Sequence, residues 1–284
     1  MTEKLTIFDR PLLRARLQRA KARQPATFLL DRVAADLVDR LAVVKRQFSR
    51  AADVGTPGDA LRRALTSEVG IASVTPVALG DDELVGLQDG SIDLAVSALA
   101  LQFVNDLPGV LVQVGRALRP DGLFLAALVG GETLTELRQA FAQAESEVEG
   151  GVSPRVAPFA DSRDLGGLLQ RTGFALPVID SERVTVTYVD PLALMADLRA
   201  MGATNVLTER RRMPLRRATL KRMMEIYATQ FSDARGRARA TFEIIWLSGW
   251  APHESQQKPL KPGSAKARLA DALGVPEVRV KRDD

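Results

Sequence analysis

Short apolar segments that alternate with glycine-containing turns and helical patterns constrain the fold of this 284-residue chain more than any other feature. The clearest segment is Leu123–Val129, a continuous apolar run followed by two glycines, which is typical of a strand buried on both faces. A shorter one, 51–54, leads through Gly55 into a helical stretch from Asp59. Strands that alternate with helices in this way favour an α/β fold, a mostly parallel sheet wrapped by helices.

The two ends of the chain have their own patterns. Residues 1–50 are predicted to be an N-terminal helical segment, because apolar residues recur along one face from Leu29 to Leu41. Residues 51–255 are predicted to form the main domain. Residues 256–284 are rich in Lys, Pro, Gly and Ala, so we expect a mobile basic tail.

The second half of the main domain predicts an antiparallel sheet edge. Strand-like segments at 184–188 and 241–247 flank two helical patterns, one opened by Asp190 and Pro191 and stopped by a glycine, the other basic. Two helices inserted between two edge strands would build a helical lid insertion, placed at 190–232.

Composition excludes several classes of protein. The chain has no Cys and one His, His253, which rules out disulfides, thiolate metal sites, cysteine nucleophiles and His-rich metal sites built within one chain, so we expect no metal. No apolar run approaches the 18 or so residues of a membrane span, and the amino terminus has no apolar signal core. A soluble intracellular protein without a transmembrane segment is expected.

Charge is distributed unevenly along the chain. Residues 1–50 carry twelve basic and five acidic side chains. Residues 81–198 carry seven basic and eighteen acidic side chains, and residues 208–222 carry seven basic side chains and one acidic side chain. One interpretation is that the acidic part and the basic insertion together clamp a partner protein. The other is that these runs are solvated helix faces. Aromatic residues make up only 5%, which argues against nucleic acid as a partner.

Motifs in this order resemble the class I S-adenosylmethionine-dependent methyltransferases. The four that carry the resemblance are Asp53-x-Gly55, Asp81-Asp82-Glu83, Asp93-Leu94-Ala95-Val96-Ser97 and Leu118-Arg119-Pro120-Asp121-Gly122. Five more are similar to motifs of the mitochondrial complex I assembly factor 5 family and its alphaproteobacterial relatives: Phe8-Asp9-Arg10, Val104-Asn105-Asp106-Leu107-Pro108-Gly109, Gly130-Gly131-Glu132-Thr133-Leu134-Thr135-Glu136-Leu137-Arg138, Glu149-Gly150-Gly151-Val152-Ser153-Pro154-Arg155 and Gly249-Trp250-Ala251-Pro252-His253-Glu254-Ser255-Gln256.

The resemblance implies a Rossmann-like class I methyltransferase fold, a doubly wound sheet with S-adenosylmethionine as cofactor. It also implies a modification or assembly factor for respiratory complex I, since the mitochondrial relatives mature a subunit by hydroxylating an arginine. The expected partner is a complex I subunit or an intact methyltransferase-like relative, in the mitochondrial matrix or a bacterial cytoplasm. The alternative is a degenerate paralogue that binds or scaffolds without catalysis.

Carried over onto this chain, the resemblance predicts six cofactor-binding residues: Asp53, Gly55, Gly58, Asp81, Asp82 and Ser97. Asp81 and Asp82 could instead cap a turn. The family's glycine-rich turn is altered here, because Pro57 has no N–H to donate and Asp59 brings a negative charge towards the cofactor's carboxylate.

The chain is also short between Asp53 and Asp93. One βαβ unit takes roughly thirty residues, so we expect one helix fewer than the family has. No acid between Ile71 and Leu79 is available for the cofactor's ribose. Losing such a partner could cost about 1.5–3 kcal/mol, so we expect S-adenosylmethionine to bind in the high-micromolar range or more weakly.

Six residues are predicted to bind the substrate: Asn105, Asp106, Glu132, Glu136, Tyr188 and His253. No catalytic residue is assigned. If the substrate is an arginine, paired carboxylates suit its guanidinium. Glu132 and Glu136 follow the last parallel strand with the four-residue spacing of one helix face. They could equally be a solvated first turn, and His253 could have a surface or structural role.

Overall fold

A computed structural model describes residues 6–257 and Gly274, and its centre is a six-stranded sheet in the order β2-β1-β3-β4-β6-β5. Residues up to Pro252 form one compact unit, and those from His253 belong to a second. The strands are β1 Arg50–Val54, β2 Ser73–Val77, β3 Ile92–Ala98, β4 Leu118–Val129, β5 Ala175–Tyr188 and β6 Ala238–Trp250.

Eight α-helices surround this sheet within the described residues, together with a short 3₁₀ turn at Leu101–Phe103. The helices are α1 Arg10–Lys21, α2 Phe28–Ala42, α3 Ala60–Ser67, α4 Leu107–Ala117, α5 Thr135–Glu149, α6 Ser162–Arg171, α7 Pro191–Ala200 and α8 Arg217–Gln230. None of them combines the length and the hydrophobicity that a membrane span needs.

Strand β4 shows why the sheet is covered on both faces. All residues of its second half are buried, and they alternate between two apolar cores. Leu123, Leu125 and Ala127 face the core that contains α2, α5 and α8. Phe124 and Ala126 face the core that contains α4 and α6. The period of two along a strand therefore confirms the doubly wound α/β prediction.

The order of the strands confirms the predicted antiparallel edge. Strands β1 to β4 are parallel, whereas β6 runs antiparallel to both β4 and β5. Helices α7 and α8 lie in the connection from β5 to β6. Between β2 and β3 the chain contains no helix in the described structure, as the short spacing from Asp53 to Asp93 predicted.

The N-terminal segment forms two helices, α1 and α2. Pro25 lies between them, and the residue before a proline disfavours helical geometry. Helix α5 begins after Leu134, which occupies the cap position with a left-handed backbone (φ 56°). Of the predicted tail 256–284, all but residues 256, 257 and 274 lies outside the described residues.

Candidate functional site

A cavity of about 820 Å³ lies at the carboxyl ends of strands β1 to β4. Its walls are the turn from β1 to α3, the loops after β2 and β3, and the end of β4, and α1 covers it. In open α/β sheets, ligands bind at this edge, where the strand order reverses. Here the reversal lies between β1 and β3, so the cavity is the candidate site.

The turn after β1 is tight around Gly55. Its φ is 78°, and its N–H donates to the carbonyl of Val77 at 2.8 Å. A Cβ atom at this position would meet the side chains of Ala100 at 3.1 Å and Leu79 at 3.3 Å. Both the left-handed backbone and the close packing require glycine here. Thr56 fixes the turn further by accepting a hydrogen bond from the N–H of Ala98 (2.9 Å).

The carboxylate of Asp53 at the end of β1 is bound by an arginine of the same chain. Arg62 Nη1 donates to Asp53 Oδ2 at 2.8 Å, and Arg62 Nη2 donates to the carbonyl of Gly58 at 2.7 Å. The Asp53 side chain is only 1% exposed, and that of Arg62 is 25% exposed. Burial raises the pKa of Asp53, and hydrogen bonding from Thr56 and the guanidinium of Arg62 both oppose that rise.

These residues do not fit S-adenosylmethionine well. Strand β2 ends at Val77 and is followed by Ala78 and Leu79, so neither residue offers a carboxylate to a ribose. Pro57 removes one N–H from the turn, and Asp59 places a carboxylate at the start of α3. The Leu79 side chain packs directly against the glycine turn.

The N-terminal motif closes the cavity. Arg10 Nη2 donates to the carbonyl of Leu79 at 2.8 Å, and Arg10 Nε lies 3.7 Å from Glu83 Oε1. Burial lowers the pKa of Arg10, and Glu83 opposes this. Arg14 forms an ion pair with Asp81. Two arginines on α1 therefore hold the acidic loop after β2 beneath this helix.

Four of the six predicted cofactor residues line the cavity: Asp53, Gly55, Gly58 and Asp81. The other two are placed elsewhere. Asp82 Oδ1 accepts the N–H of Leu84 at 3.3 Å, in a turn. Ser97 is fully buried and donates to the carbonyl of Val54 at 2.7 Å, joining β3 to β1. Contact with a cofactor stays a prediction for all six.

None of the five predicted substrate residues in the first unit lines the large cavity. Asn105 Oδ1 accepts the N–H groups of Ile7 and Phe8 at 2.9 and 2.8 Å, so it holds the N-terminal motif, and it lines a neighbouring cavity of about 290 Å³. Asp106 caps α4 by accepting the N–H of Gly109 at 2.9 Å.

The predicted pair of Glu132 and Glu136 on one helix face is wrong. Glu132 precedes α5, is exposed and faces Arg183 at 3.8 Å. Glu136 is buried, and its carboxylate accepts the backbone N–H of Thr241 at 3.0 Å and its hydroxyl at 2.6 Å. The left-handed residue Leu134 ends the turn between the two glutamates, so they do not share helical spacing.

The last two predicted substrate residues are Tyr188 and His253. Tyr188 ends β5 with a buried side chain, and burial, together with Asp197, raises its pKa. His253 is exposed in the second unit, where its Nδ1 lies 2.7 Å from Ser255 Oγ. The described residues include no group of three or more acidic or His side chains placed to hold a metal ion.

Part of the basic stretch 208–222 pairs with the acidic end of α5 within the same chain. Arg211 pairs with Glu149, and Arg222 pairs with Glu147. These two arginines are therefore engaged internally, and a clamp on a partner protein stays a prediction.

Arg62 and Arg10 were not predicted from the sequence, although a signal for Arg62 exists. It lies in the first turn of α3, where the helix dipole disfavours a cation. A basic residue at such a position indicates a nearby anion, which here is Asp53. Arg10 belonged to a motif without an assigned role, and its partners lie 69 or more residues away.

Comparisons with known proteins agree with this geometry. A family model described as a methyltransferase domain matches residues 45–126. The chain is 35% identical to the arginine-hydroxylase NDUFAF5, mitochondrial, of Danio rerio, over 94% of this chain and 89% of that protein. It is 32% identical to a malonyl-[acyl-carrier protein] O-methyltransferase of Laribacter hongkongensis, over 90% of this chain and 94% of that protein. The crystal structure of YcgJ from Bacillus subtilis superposes with a TM-score of 0.51 at 11% identity, covering 78% of this chain and 99% of YcgJ, which shows the fold alone.

Proposed function

Since this chain belongs to the family of the arginine-hydroxylase NDUFAF5, within the methyltransferase superfamily, we propose that it is a modification or assembly factor for respiratory complex I. The observation that carries the proposal is the extent of the similarity, which spans 94% of the chain. The location that goes with it is the mitochondrial matrix or the cytoplasm of a bacterium.

The substrate class that we propose is an arginine side chain on a complex I subunit. Three carboxylates that line the cavity already bind guanidinium groups of this chain. These ion pairs are Asp53 with Arg62, Asp59 with Arg63 and Asp81 with Arg14. Carboxylates suit the planar donors of a guanidinium. A substrate arginine would compete with these internal ones.

For the cofactor we propose S-adenosylmethionine bound in the high-micromolar range or more weakly. The glycine turn and Asp53 support a site at the end of β1. The apolar end of β2 and the missing N–H of Pro57 support the low affinity.

A second candidate is a binding or scaffolding paralogue without catalysis. The specific observation in its favour is that Asp53, the acid of the glycine turn, is already paired with Arg62 at 2.8 Å. Such a protein would still need its cavity and its N-terminal helix to hold a partner, but it would leave the partner's arginine unchanged.

The test uses cells from which the gene for this chain is deleted. Native gels report complex I assembly, and mass spectrometry of complex I subunits reports arginine modification. The cells are rescued with the wild-type chain, with Asp81→Asn at the cavity, or with the control Asp89→Asn, which changes an exposed acid outside it.

We expect deletion to impair assembly, and Asp89→Asn but not Asp81→Asn to restore it. Normal assembly in the deleted cells would overturn the proposal. Impaired assembly with every subunit arginine unchanged in wild-type cells would select the scaffolding candidate.

A further inference from the structure

We propose that Arg62 is an internal ligand of the candidate site: its guanidinium occupies Asp53 and excludes the amino-acid end of an adenosylmethionine-type molecule. The inference rests on the proposed function for the identity of the cavity. It goes further in assigning part of the proposed weak cofactor binding to one residue that can be changed. The contrast between a methyltransferase fold and a low proposed affinity for S-adenosylmethionine then has a specific physical origin.

The geometry shows a guanidinium held on two sides. One of its nitrogens is 2.8 Å from Asp53 Oδ2, and the other is 2.7 Å from the carbonyl oxygen of Gly58. These two acceptors lie at opposite ends of the turn that lines the cavity. Arg62 therefore spans the turn at the place where a ligand would approach the end of β1.

The carboxylate of Asp53 retains capacity to bind another donor. Its Oδ1 atom is buried and has no partner at full hydrogen-bond geometry within the part of the chain that is described, although Thr56 lies close enough to lower the pKa of this carboxyl. A buried carboxylate with one oxygen unmatched favours a cationic partner. The ammonium group of an amino acid would meet that need, and it would compete with the Arg62 guanidinium, which already binds Oδ2 of the same carboxylate.

The neighbouring Arg63 provides a matched comparison. It lines the same cavity, and it pairs with Asp59 at 3.1 Å, but both side chains are well exposed. An exposed ion pair is screened by water and contributes little. Removing Arg63 changes the charge of the cavity by the same amount as removing Arg62, while Asp53 keeps its partner.

The experiment is a calorimetric titration of the full chain and of the variants Arg62→Leu, Arg62→Gln and Arg63→Leu. Three probes are used. S-adenosylmethionine and S-adenosylhomocysteine both carry an ammonium and a carboxylate, whereas methylthioadenosine lacks the amino-acid end. Circular dichroism and a melting curve establish that each variant is folded.

We expect both Arg62 variants to bind the first two probes about tenfold more tightly than the wild type. Methylthioadenosine should be unaffected, and Arg63→Leu should bind all three probes as the wild type does. A gain for S-adenosylmethionine that exceeds the gain for S-adenosylhomocysteine would indicate general relief of positive charge, because only the former carries a sulfonium, and would overturn the specific role.

Folded Arg62 variants that bind no more tightly would also overturn the inference. Variants that both unfold would show that Arg62 serves stability rather than exclusion, and would overturn it too. None of these results bears on complex I assembly in the deletion cells, so failure here remains distinct from failure of the proposed function.

Discussion

The carboxylate of Glu136 binds Thr241 twice, accepting its backbone N–H at 3.0 Å and its hydroxyl at 2.6 Å. Thr241 lies in β6, and Glu136 lies in the first turn of α5. The pair therefore fastens the helix that follows β4 to the antiparallel strand beside it. Glu136, which was predicted to bind the substrate together with Glu132, instead connects a helix to the sheet.

The first prediction follows from this connection. Glu136→Ala should lower the free energy of unfolding by about 2–3 kcal/mol, because two hydrogen bonds to a charged group are lost and a buried N–H is left without its acceptor. Glu132→Ala, which removes one weak exposed ion pair, should cost less than about 0.5 kcal/mol. Urea unfolding of both variants measures the difference. Equal losses would contradict the assignment.

The second prediction concerns the helix that covers the cavity. Arg10→Leu removes the hydrogen bond to the Leu79 carbonyl and the contact with Glu83. Interactions of this kind contribute about 1.5–3 kcal/mol, so amide hydrogen exchange across α1 should accelerate about tenfold to a hundredfold. Mass spectrometry of peptides from this helix provides the measurement.

Arg19→Leu is the control for that experiment. Arg19 lies on the same helix and is exposed, and within residues 6–257 its side chain donates only to the carbonyl of Ala15, one turn earlier. It should leave the exchange of the first half of α1 unchanged. If Arg10→Leu also left it unchanged, α1 would be held by its other contacts, which include its apolar face and the ion pair of Arg14 with Asp81.

The fold could be predicted from the sequence where local patterns are strong. The uninterrupted apolar run at Leu123–Val129 indicated a central strand, and the cap Asp190 marked the start of α7. The short spacing from Asp53 to Asp93 left no room for a second helix. Each of these signals depends on covalent geometry or on backbone hydrogen bonds within a few residues.

The arrangement of the site could not be predicted to the same extent. Glu136 and Thr241 are 105 residues apart, and Asn105 and Phe8 are 97 apart, so their pairing depends on how the sheet is assembled. The left-handed backbone at Leu134 could not be predicted either, because leucine rarely adopts this conformation and the sequence gives no local signal for it. Resemblance identified the motifs but not which of them line the cavity.

The third prediction is a pH dependence of stability that depends on Glu145. Burial opposes ionisation of this fully buried carboxylate, but hydrogen bonds from Ser153 and Arg155 outweigh burial and lower its pKa below the ordinary value of 4.5. A lowered pKa in the folded state contributes stability that is complete above about pH 4.5. That contribution is lost as the pH falls through the lower folded value.

Glu145→Gln should therefore be less stable than the wild type by a constant amount, about 2–3 kcal/mol, above pH 4.5. The difference should shrink as the pH falls further. Urea unfolding at several pH values between about 3 and 7 tests this, with the exposed Glu68→Gln as control. A difference that stayed constant down to pH 3 would show that the Glu145 carboxylate is not the titrating group.

The fourth prediction concerns the apolar end of β2. Leu79 packs against the turn at Gly55, at the end of the strand where the family places an acid for the ribose hydroxyls. Leu79→Asp should supply the missing carboxylate and strengthen binding of S-adenosylmethionine by about tenfold to a hundredfold, which corresponds to about 1.5–3 kcal/mol.

Methylthioadenosine separates this change from the one at Arg62. The molecule keeps the ribose and lacks the amino-acid end, so Leu79→Asp should strengthen its binding as much as that of S-adenosylmethionine, whereas Arg62→Leu should not. Leu79→Asn, which offers one carbonyl oxygen and no charge, should give a smaller gain. Calorimetric titration of both nucleosides with each folded variant measures these differences. If Leu79→Asp bound neither nucleoside more tightly, the loss of the ribose acid could not be the cause of the weak affinity, and the closed turn at Asp53 would have to account for all of it.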